Sequence, residues 1–278
     1  MVIAFLDEER FLASAIDSVN NQTASDWELL LVDDGSTDAS PAIAEAAALA
    51  DPARVRVVRH PGGGNAGLPA SRNLGLAEAR GPYLCFLDAD DRWCPEKLAR
   101  QTALMSSPSQ PVMICGPSWH EDGGAPSRRQ LVGVSPLAPR LLRRGRFARL
   151  MVRGAVRTPP PSDVMYRVEA LRRVGGVPAG PTMHEDQRTF VAVSLTGPVM
   201  VLDEPLTTYT VRTDSVYGSQ RDDGMRLVRS HREYEDWVTR YGLRHGPYGI
   251  AVSVTLLLHR LRRGVTRRAR LIVPPGWR

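Results

Sequence analysis

The sequence predicts an α/β protein built on a mostly parallel, Rossmann-like sheet flanked by helices. Three observations predict it. Short apolar runs alternate with stretches of helical periodicity throughout the first half, the pattern of a parallel sheet covered on both faces. The 278 residues, 42% of them hydrophobic, suffice for one large α/β domain or two small ones with a substantial core. The apolar runs also end in acidic loops, at the carboxyl ends of strands where open α/β sheets receive ligands.

The elements follow in order. Residues 2–6 form the first strand, and Phe11, Leu12, Ala15, Ile16 and Val19 recur at helical spacing, which predicts a helix over residues 8–21. The run WELLLV, residues 27–32, is the second strand; the turn of residues 33–38 and an alanine-rich helix to residue 50 follow. A third strand spans 55–58, and the glycine loop of residues 61–67 leads into a helix over 70–79. The run YLCFL, residues 83–87, is a further buried strand that stops at Asp88-Ala89-Asp90-Asp91. A helix over 96–105 and a strand over 112–115 complete this half.

Residues 117–161 are rich in Pro, Gly and Arg and read as a variable connection with one helix near 137–144. Order returns at 162–166, with helices over 169–174 and 185–195 and strands over 199–202 and 206–211. No internal repeat is evident. These elements divide the chain into a domain over 1–217, with one half at 1–116 and another at 162–217, and a basic C-terminal helical extension over 218–278. A strand that opens at Met1 with nothing to lead into it raises a truncated or misassigned start.

The net charge of +6 mildly favours anionic partners. Lys97 is the only lysine, so the excess of arginine reads as a codon-composition bias. Cys85, Cys94 and Cys115 are odd in number and show no CxxC spacing, which argues against a zinc site or disulfide framework and for a reducing, cytoplasmic compartment. No apolar run reaches the ~20 residues needed to span a bilayer, and no signal peptide opens the chain.

Three strand ends concentrate acids: Asp7-Glu8-Glu9, Asp33-Asp34 and Asp88-Ala89-Asp90-Asp91. Such like charge repels itself unless cations or hydrogen-bond donors neutralise it. A divalent ion with phosphate oxygens does so economically, since Mg²⁺ or Mn²⁺ prefers one or two carboxylates plus substrate phosphates. The glycine run is not a dinucleotide fingerprint, because its spacing is imperfect and no acid follows at the right distance.

With these segments in place, the chain resembles a family-2 glycosyltransferase of the GT-A fold. The similarity lies in IAFLDEERFLASAIDSVNNQTASDWELLLVDDGSTD, GNAGLPASRNLGLAEARGPYLCFLDADDRW, SDVMYRVEALRRVGG, HEDQRTF and DEPLTTYTVRTDS, in the family's order across residues 1–217. The resemblance implies an inverting transferase that moves a sugar from a nucleoside-diphosphate sugar (UDP, GDP or dTDP) to a hydroxyl of a glycan or lipid-linked acceptor. Cell-surface polysaccharide or glycolipid synthesis is the implied setting, and no nucleic acid is involved. It implies that residues 1–116 hold the donor and 162–217 the acceptor.

The same resemblance implies that Asp7, Asp33 and Asp34 meet the nucleotide, with Arg72 and Asn73 nearby. Asp33-Asp34 alone would equally serve as a turn and helix cap. Asp88, Asp90 and Asp91 resemble the family's DxD element, which holds a divalent metal and the donor; which of the three touches the ion stays open. Asp186 is the candidate base and Glu185 an acceptor contact, in acids that open a helix whose dipole favours their anionic form. His184 reads as an orienting or surface histidine rather than a metal ligand.

Two positions depart from the family pattern. Arg212 stands where a histidine often completes the metal site, and an arginine cannot bind a cation: either the ion relies on the aspartates and phosphates, or, the preferred reading, Arg212 itself pairs with the diphosphate. Ala4 and Leu6 stand where many relatives carry a proline and an aromatic residue. A silent nucleotide-sugar-binding protein and a sugar-nucleotide nucleotidyltransferase are the alternatives. The tail has no acid from Trp237 onward and crowds Arg260, Arg262, Arg263, Arg267, Arg268 and Arg270 behind an apolar run. It reads either as peripheral contact with the inner face of a membrane or as an accessory helix with a solvated end.

Overall fold

Strand β1 (Val2–Phe5) pairs in parallel with β2 (Leu29–Asp33), and β2 in parallel with β3 (Val55–Arg59). The computed structural model describes residues 1–123, 129–134, 138–179, 184–212 and 224–272, with side chains described for all of these except 224–227 and 263–272. On its other edge, β1 meets the chain just after β4 (Tyr83–Cys85), through a parallel bridge from Val2 to Phe86 and a Leu87 N–H donated to Val2 O at 2.9 Å. The sheet continues through β10 (Met165–Arg167), antiparallel to β4 and to β6 (Met113–Cys115). Beyond β6 lie β11 (Val199–Val201), parallel to it, and the antiparallel β9 (Arg140–Leu142).

A second, smaller sheet runs β5 (Arg92–Trp93), β12 (Thr207–Val211), β7 (Ser118–Asp122), β8 (Arg129–Val132). Its strands β7 and β8 and the edge strand β9 correct the expectation of an irregular connection over 117–161. The helix expected near 137–144 is also corrected. Leu142 is buried in β9, and α5 (Arg146–Val152) starts only after Gly145 turns the chain at φ 72°. Local composition favoured a loop; pairing of β7 and β9 with strands more than fifty residues away, and of β8 with β7, decided otherwise.

Helices cover the large sheet as the apolar spacing predicts. Leu12, Ala15, Ile16 and Val19 of α1 (Leu12–Asn20) pack under β1 and β2. This helix begins at residue 12 rather than 8, because Asp7 adopts φ 54° and Glu8 O accepts the N–H groups of Phe11 and Leu12 in a tight turn. In α3 (Leu68–Glu78), Gly75 lies directly on β1, where a Cβ would come 2.4 Å from Val2 Cγ1. Helices α2 (Ser40–Ala50), α4 (Lys97–Met105), α6 (Val168–Arg173) and α7 (Glu185–Ser194) match their predicted positions closely. Leu29, Leu30 and Leu31 are wholly buried in β2, each contributing about 1.5–3 kcal/mol by leaving water.

A buried polar knot ties α4 to the segment before β10. Lys97 is fully buried and its Nζ donates to Gln101 Oε1 at 2.8 Å and Asp163 O at 2.7 Å, 5.2 Å from the Trp93 ring centroid. Burial pushes the Asp163 carboxyl up to about 6, with Lys97 pulling the other way. Toward the C-terminus, α8 (Gly224–Leu243) and α9 (Gly246–Ile272) pack through Tyr234, Val238, Val252 and Leu256 onto Ala148 and Val152 of α5, Val191 of α7 and Leu195 just after it. Of the tail arginines, Arg260 pairs with Glu235 at 2.7 Å and Asp236 at 3.1 Å. The side chains of Arg263, Arg267, Arg268 and Arg270 lie outside the described residues. Among the described residues no helix is long and apolar enough to cross a membrane.

Candidate active site

The carboxyl ends of β1, β2 and β4 open into a cleft of about 530 Å³, closed on the far side by α7 and β12. Asp34, Arg72, Asp88, Asp90, Glu185, Asp186 and Arg212 all line it. These residues are far apart in the chain, from Asp34 to Arg212, and the shared cleft follows from the sheet order that sets β4 between β1 and β10.

Asp34 is buried and its carboxylate anchors the glycine loop, accepting from Ala66 N at 2.8 Å and Gly67 N at 3.0 Å. His60 Nε2 stands 3.6 Å from Asp34 and 2.8 Å from Ser71 Oγ, which fixes the floor of this corner. Gly35 must be glycine here: it sits at φ 89°, and a Cβ would press on Asn65 N at 3.0 Å.

Acids and arginines are matched in pairs across the centre. Arg72 is buried, and its Nη2 donates to Asp88 Oδ1 at 2.5 Å. Burial alone would lower the Arg72 pKa, but the attraction of Asp88 raises it overall. Arg212 Nη1 stands 3.3 Å from Asp90 Oδ2 and 2.7 Å from Glu8 Oε2, with its guanidinium 4.6 Å from the Phe11 ring centroid. Burial, then the charges of Asp88 and Glu8, push the Asp90 carboxyl upward, with Arg212 resisting.

Across the cleft, Asp186 sits in the first turn of α7 and accepts from Gln187 N at 2.6 Å. Burial and then the neighbouring Glu185 raise its pKa to about 7. Tyr209 lines the same wall, its hydroxyl pushed up by burial and then by Asp91, Asp88 and Asp90, so it remains a neutral hydrogen-bonding group. His184 packs 5.1 Å from the Tyr234 ring and 5.8 Å from His231 of α8. Burial, then the charges of His231 and Arg188, push it down to about 4, so it stays uncharged near neutrality.

Three of the expected site residues do not face the cleft. Asp33 accepts from Gly35 N at 3.2 Å and Ser36 N at 2.9 Å, an Asx-type turn, and meets Arg59 Nε at 3.4 Å. Asp7 accepts from Thr37 N at 2.7 Å and so closes the turn after β1 onto the turn after β2. Asp91 is fully buried, with Ser162 Oγ donating to it at 2.5 Å and Thr210 N at 2.8 Å. Asn73 also has a structural engagement, exchanging hydrogen bonds with Val177 at 2.7 and 2.8 Å. Glu8 and Tyr209 line the cleft without having been singled out. Glu8 was visible only as the middle acid of a run after the first strand, and Tyr209 only as a polar-capable position in β12.

Among the described residues no group of three or more His, Cys, Asp or Glu side chains is gathered tightly enough to hold a metal ion by itself. Asp88 and Asp90 nevertheless both line the same cleft, and one or two carboxylates suffice for Mg²⁺ or Mn²⁺ where phosphates supply the remaining ligands.

The model of Glycosyl transferase family 2 matches residues 1–175. The chain is similar to the Uncharacterized glycosyltransferase alr2836 of Nostoc sp., 29% identical over 212 residues, which cover 76% of this chain and 64% of that protein. It is also similar to the Putative teichuronic acid biosynthesis glycosyltransferase TuaG of Bacillus subtilis, 34% identical over 116 residues, covering 42% of this chain and 45% of that one. The chain thus spans less than two thirds of the length of these relatives. Among solved structures, S. aureus TarS 1–349 in complex with UDP-GlcNAc superposes with a TM-score of 0.70 at 17% identity, covering 99% of this chain and 76% of that one. The mannosyltransferase PcManGT from Pyrobaculum calidifontis, in complex with GDP-Man and Mn²⁺, superposes with a TM-score of 0.61 at 15% identity over 99% of this chain and 80% of that one. At these identities the likeness is one of fold.

Proposed function

The chain belongs to glycosyl transferase family 2 and has the GT-A fold, and from that premise we propose that it is a glycosyltransferase whose acidic cleft performs inverting transfer from a nucleoside-diphosphate sugar to an acceptor hydroxyl. The observation that carries this reading is the convergence of Asp34, Asp90 and Asp186 on one cleft. Residues 1–116 serve the donor, 162–217 the acceptor, and 218–278 form an extension. The free cysteines fit a cytoplasmic setting.

In this reading Asp34 takes the hydroxyl and N–H donors of the ribose and base, and the loop it anchors sets the depth of the nucleotide pocket. Arg72 fixes Asp88, and Arg212 turns from Glu8 and Asp90 toward the diphosphate, where a guanidinium meets two phosphate oxygens at once. Asp7 and Asp33 act indirectly, by shaping the turns that hold Asp34 in place.

Asp88 and Asp90 are the residues that would hold a Mn²⁺ or Mg²⁺ ion, with donor phosphates completing its shell. Such an ion supplies Lewis-acid relief of charge on the leaving diphosphate. Asp91, with both oxygens occupied by Ser162 and Thr210, supports the loop from behind.

On the acceptor side, Asp186 takes the proton of the attacking hydroxyl as the new bond from oxygen to the anomeric carbon forms. The bond from that carbon to the phosphate oxygen breaks on the opposite face, and the nucleoside diphosphate departs with the electron pair, its charge met by Arg212. Glu185 orients the acceptor. The similarity to TuaG supports a glycan or lipid-linked acceptor in cell-envelope polysaccharide synthesis.

A thermal-shift screen of nucleoside diphosphates and their sugars, with and without Mn²⁺, tests the reading. A ligand at a hundredfold excess over its Kd stabilises the folded chain by about 2.7 kcal/mol. The expected result is a shift that needs the diphosphate and is lost in Asp88→Ala, together with release of nucleoside diphosphate from one of the sugars. A shift with no turnover of any sugar and acceptor would instead indicate a binding protein, and no shift with any nucleotide would end the proposal.

A further inference from the structure

Helix α9 carries two faces of opposite surroundings. Val252 and Leu256 are buried against α5, α7 and α8. Ile250, Val254, Leu257, Leu258 and Leu261 are instead exposed, by 44% to 66%. At about 100° per residue these five fall within roughly 100° of arc, one continuous apolar stripe. Single exposed leucines are ordinary on a protein surface; five aligned on one helix face are not.

Beside this stripe, α5 and α9 enclose a groove of about 420 Å³ lined by Arg149, Arg153, Thr255, Leu258, His259 and Arg262. Leu258 belongs to both the stripe and the groove, so the apolar and basic surfaces are contiguous. Arg149 and Arg153 are exposed, and Arg149 Nε is held 3.3 Å from Thr255 Oγ1, which ties the basic wall to the helix. No carboxylate lines the groove, and the sequence contains none from Trp237 to the last residue.

We propose that this face of α9 docks the enzyme onto an anionic membrane surface, the stripe entering the boundary between headgroups and acyl chains and the Arg149–Arg153–Arg262 groove receiving lipid phosphates. An amphipathic helix with an apolar stripe and arginines at its edge lies in the plane of such an interface. Arginines beside it are attracted by the surface potential of acidic lipids. Charge complementarity selects this occupant over an apolar protein partner, against which the exposed guanidinium groups of Arg149 and Arg153 would lose their hydration. The inference stands apart from the transferase reading, since it involves no residue of the catalytic cleft.

Co-sedimentation of the full chain with vesicles tests it. The chain is expected to pellet with equimolar phosphatidylcholine and phosphatidylglycerol, to stay in solution with phosphatidylcholine alone, and to be released by high salt. Arg149→Glu/Arg153→Glu and Leu257→Asp/Leu261→Asp should each weaken partitioning on the order of tenfold or more. Far-UV circular dichroism and unchanged melting temperatures would show that these surface variants remain folded. Failure to pellet with the acidic vesicles, or equal pelleting by wild type and both folded variants, overturns the proposal. So does a concentration-dependent dimer in light scattering that the leucine variant abolishes, since the face would then belong to a second copy.

Discussion

Arg212 Nη1 donates to Glu8 Oε2 at 2.7 Å, tying the last strand of the smaller sheet to the turn after the first strand of the larger one. The pair holds a guanidinium at the mouth of a cleft whose acids would otherwise repel each other. Arg212→Ala should weaken nucleoside-diphosphate binding by roughly 10- to 100-fold, the range expected for charge-assisted hydrogen bonds. Arg212→Lys, which keeps charge but loses the planar fork, should fall between. Isothermal calorimetry with the best diphosphate from the screen measures both, and unchanged affinity in the alanine variant would remove Arg212 from the donor site.

Asp186 has its pKa raised to about 7, by burial and by Glu185. A base acts in its ionised form, so kcat/KM should climb with pH through about 7 and level off above it, dropping about tenfold per unit on the acid side. Asp186→Asn should abolish that limb and slow transfer by about 100- to 10,000-fold while leaving nucleotide affinity near wild type. A pH–rate profile of the variant that keeps the same acidic limb would assign the ionisation elsewhere.

Two aspartates three positions apart should behave in opposite ways. Asp91 is buried and accepts from Ser162 and Thr210, so Asp91→Ala strands two buried donors and should lower stability by about 1–3 kcal/mol for each. Asp88 faces the cleft, and Asp88→Ala should abolish the diphosphate- and Mn²⁺-dependent thermal shift with much less effect on the melting temperature of the ligand-free chain. Equal destabilisation by both would show that Asp88 too is part of the scaffold.

Gly75 of α3 leaves no room for a side chain over Val2. Gly75→Ala should therefore cost about 1–3 kcal/mol by forcing helix and strand apart, despite alanine's higher helix propensity. Urea denaturation reads the loss directly. Pairing it with Val2→Ala should recover part of it, because the clash is with the Val2 methyl groups.

Much of this architecture could be read from the chain alone, because buried strands and amphipathic helices leave periodic traces. The alternation of β1 to β4 with α1 to α3 followed from those traces, as did the gathering of acids at strand ends. Residues 117–161 were less transparent. Strands β7, β8 and β9 are short and partly exposed; β7 and β9 owe their existence to partners distant in sequence, β12 and β11, and β8 in turn pairs with β7. The same limit separates the acids. Asp33 and Asp34 are adjacent and chemically alike, yet one closes a turn and the other anchors the glycine loop at the cleft, a distinction fixed by which backbone N–H groups each meets. Glu8 meets Arg212 from 204 positions away, a pairing that no local pattern displays.

The burial of Lys97 has a practical corollary. The chain's sole side-chain amine is sealed between α4 and the segment before β10, so reagents that acylate lysine can reach it only when that packing opens. Its rate of modification therefore becomes a clock for opening of the packing between α4 and the segment before β10, readable by mass spectrometry with no engineered label, and a ligand that stabilises the closed fold should slow it.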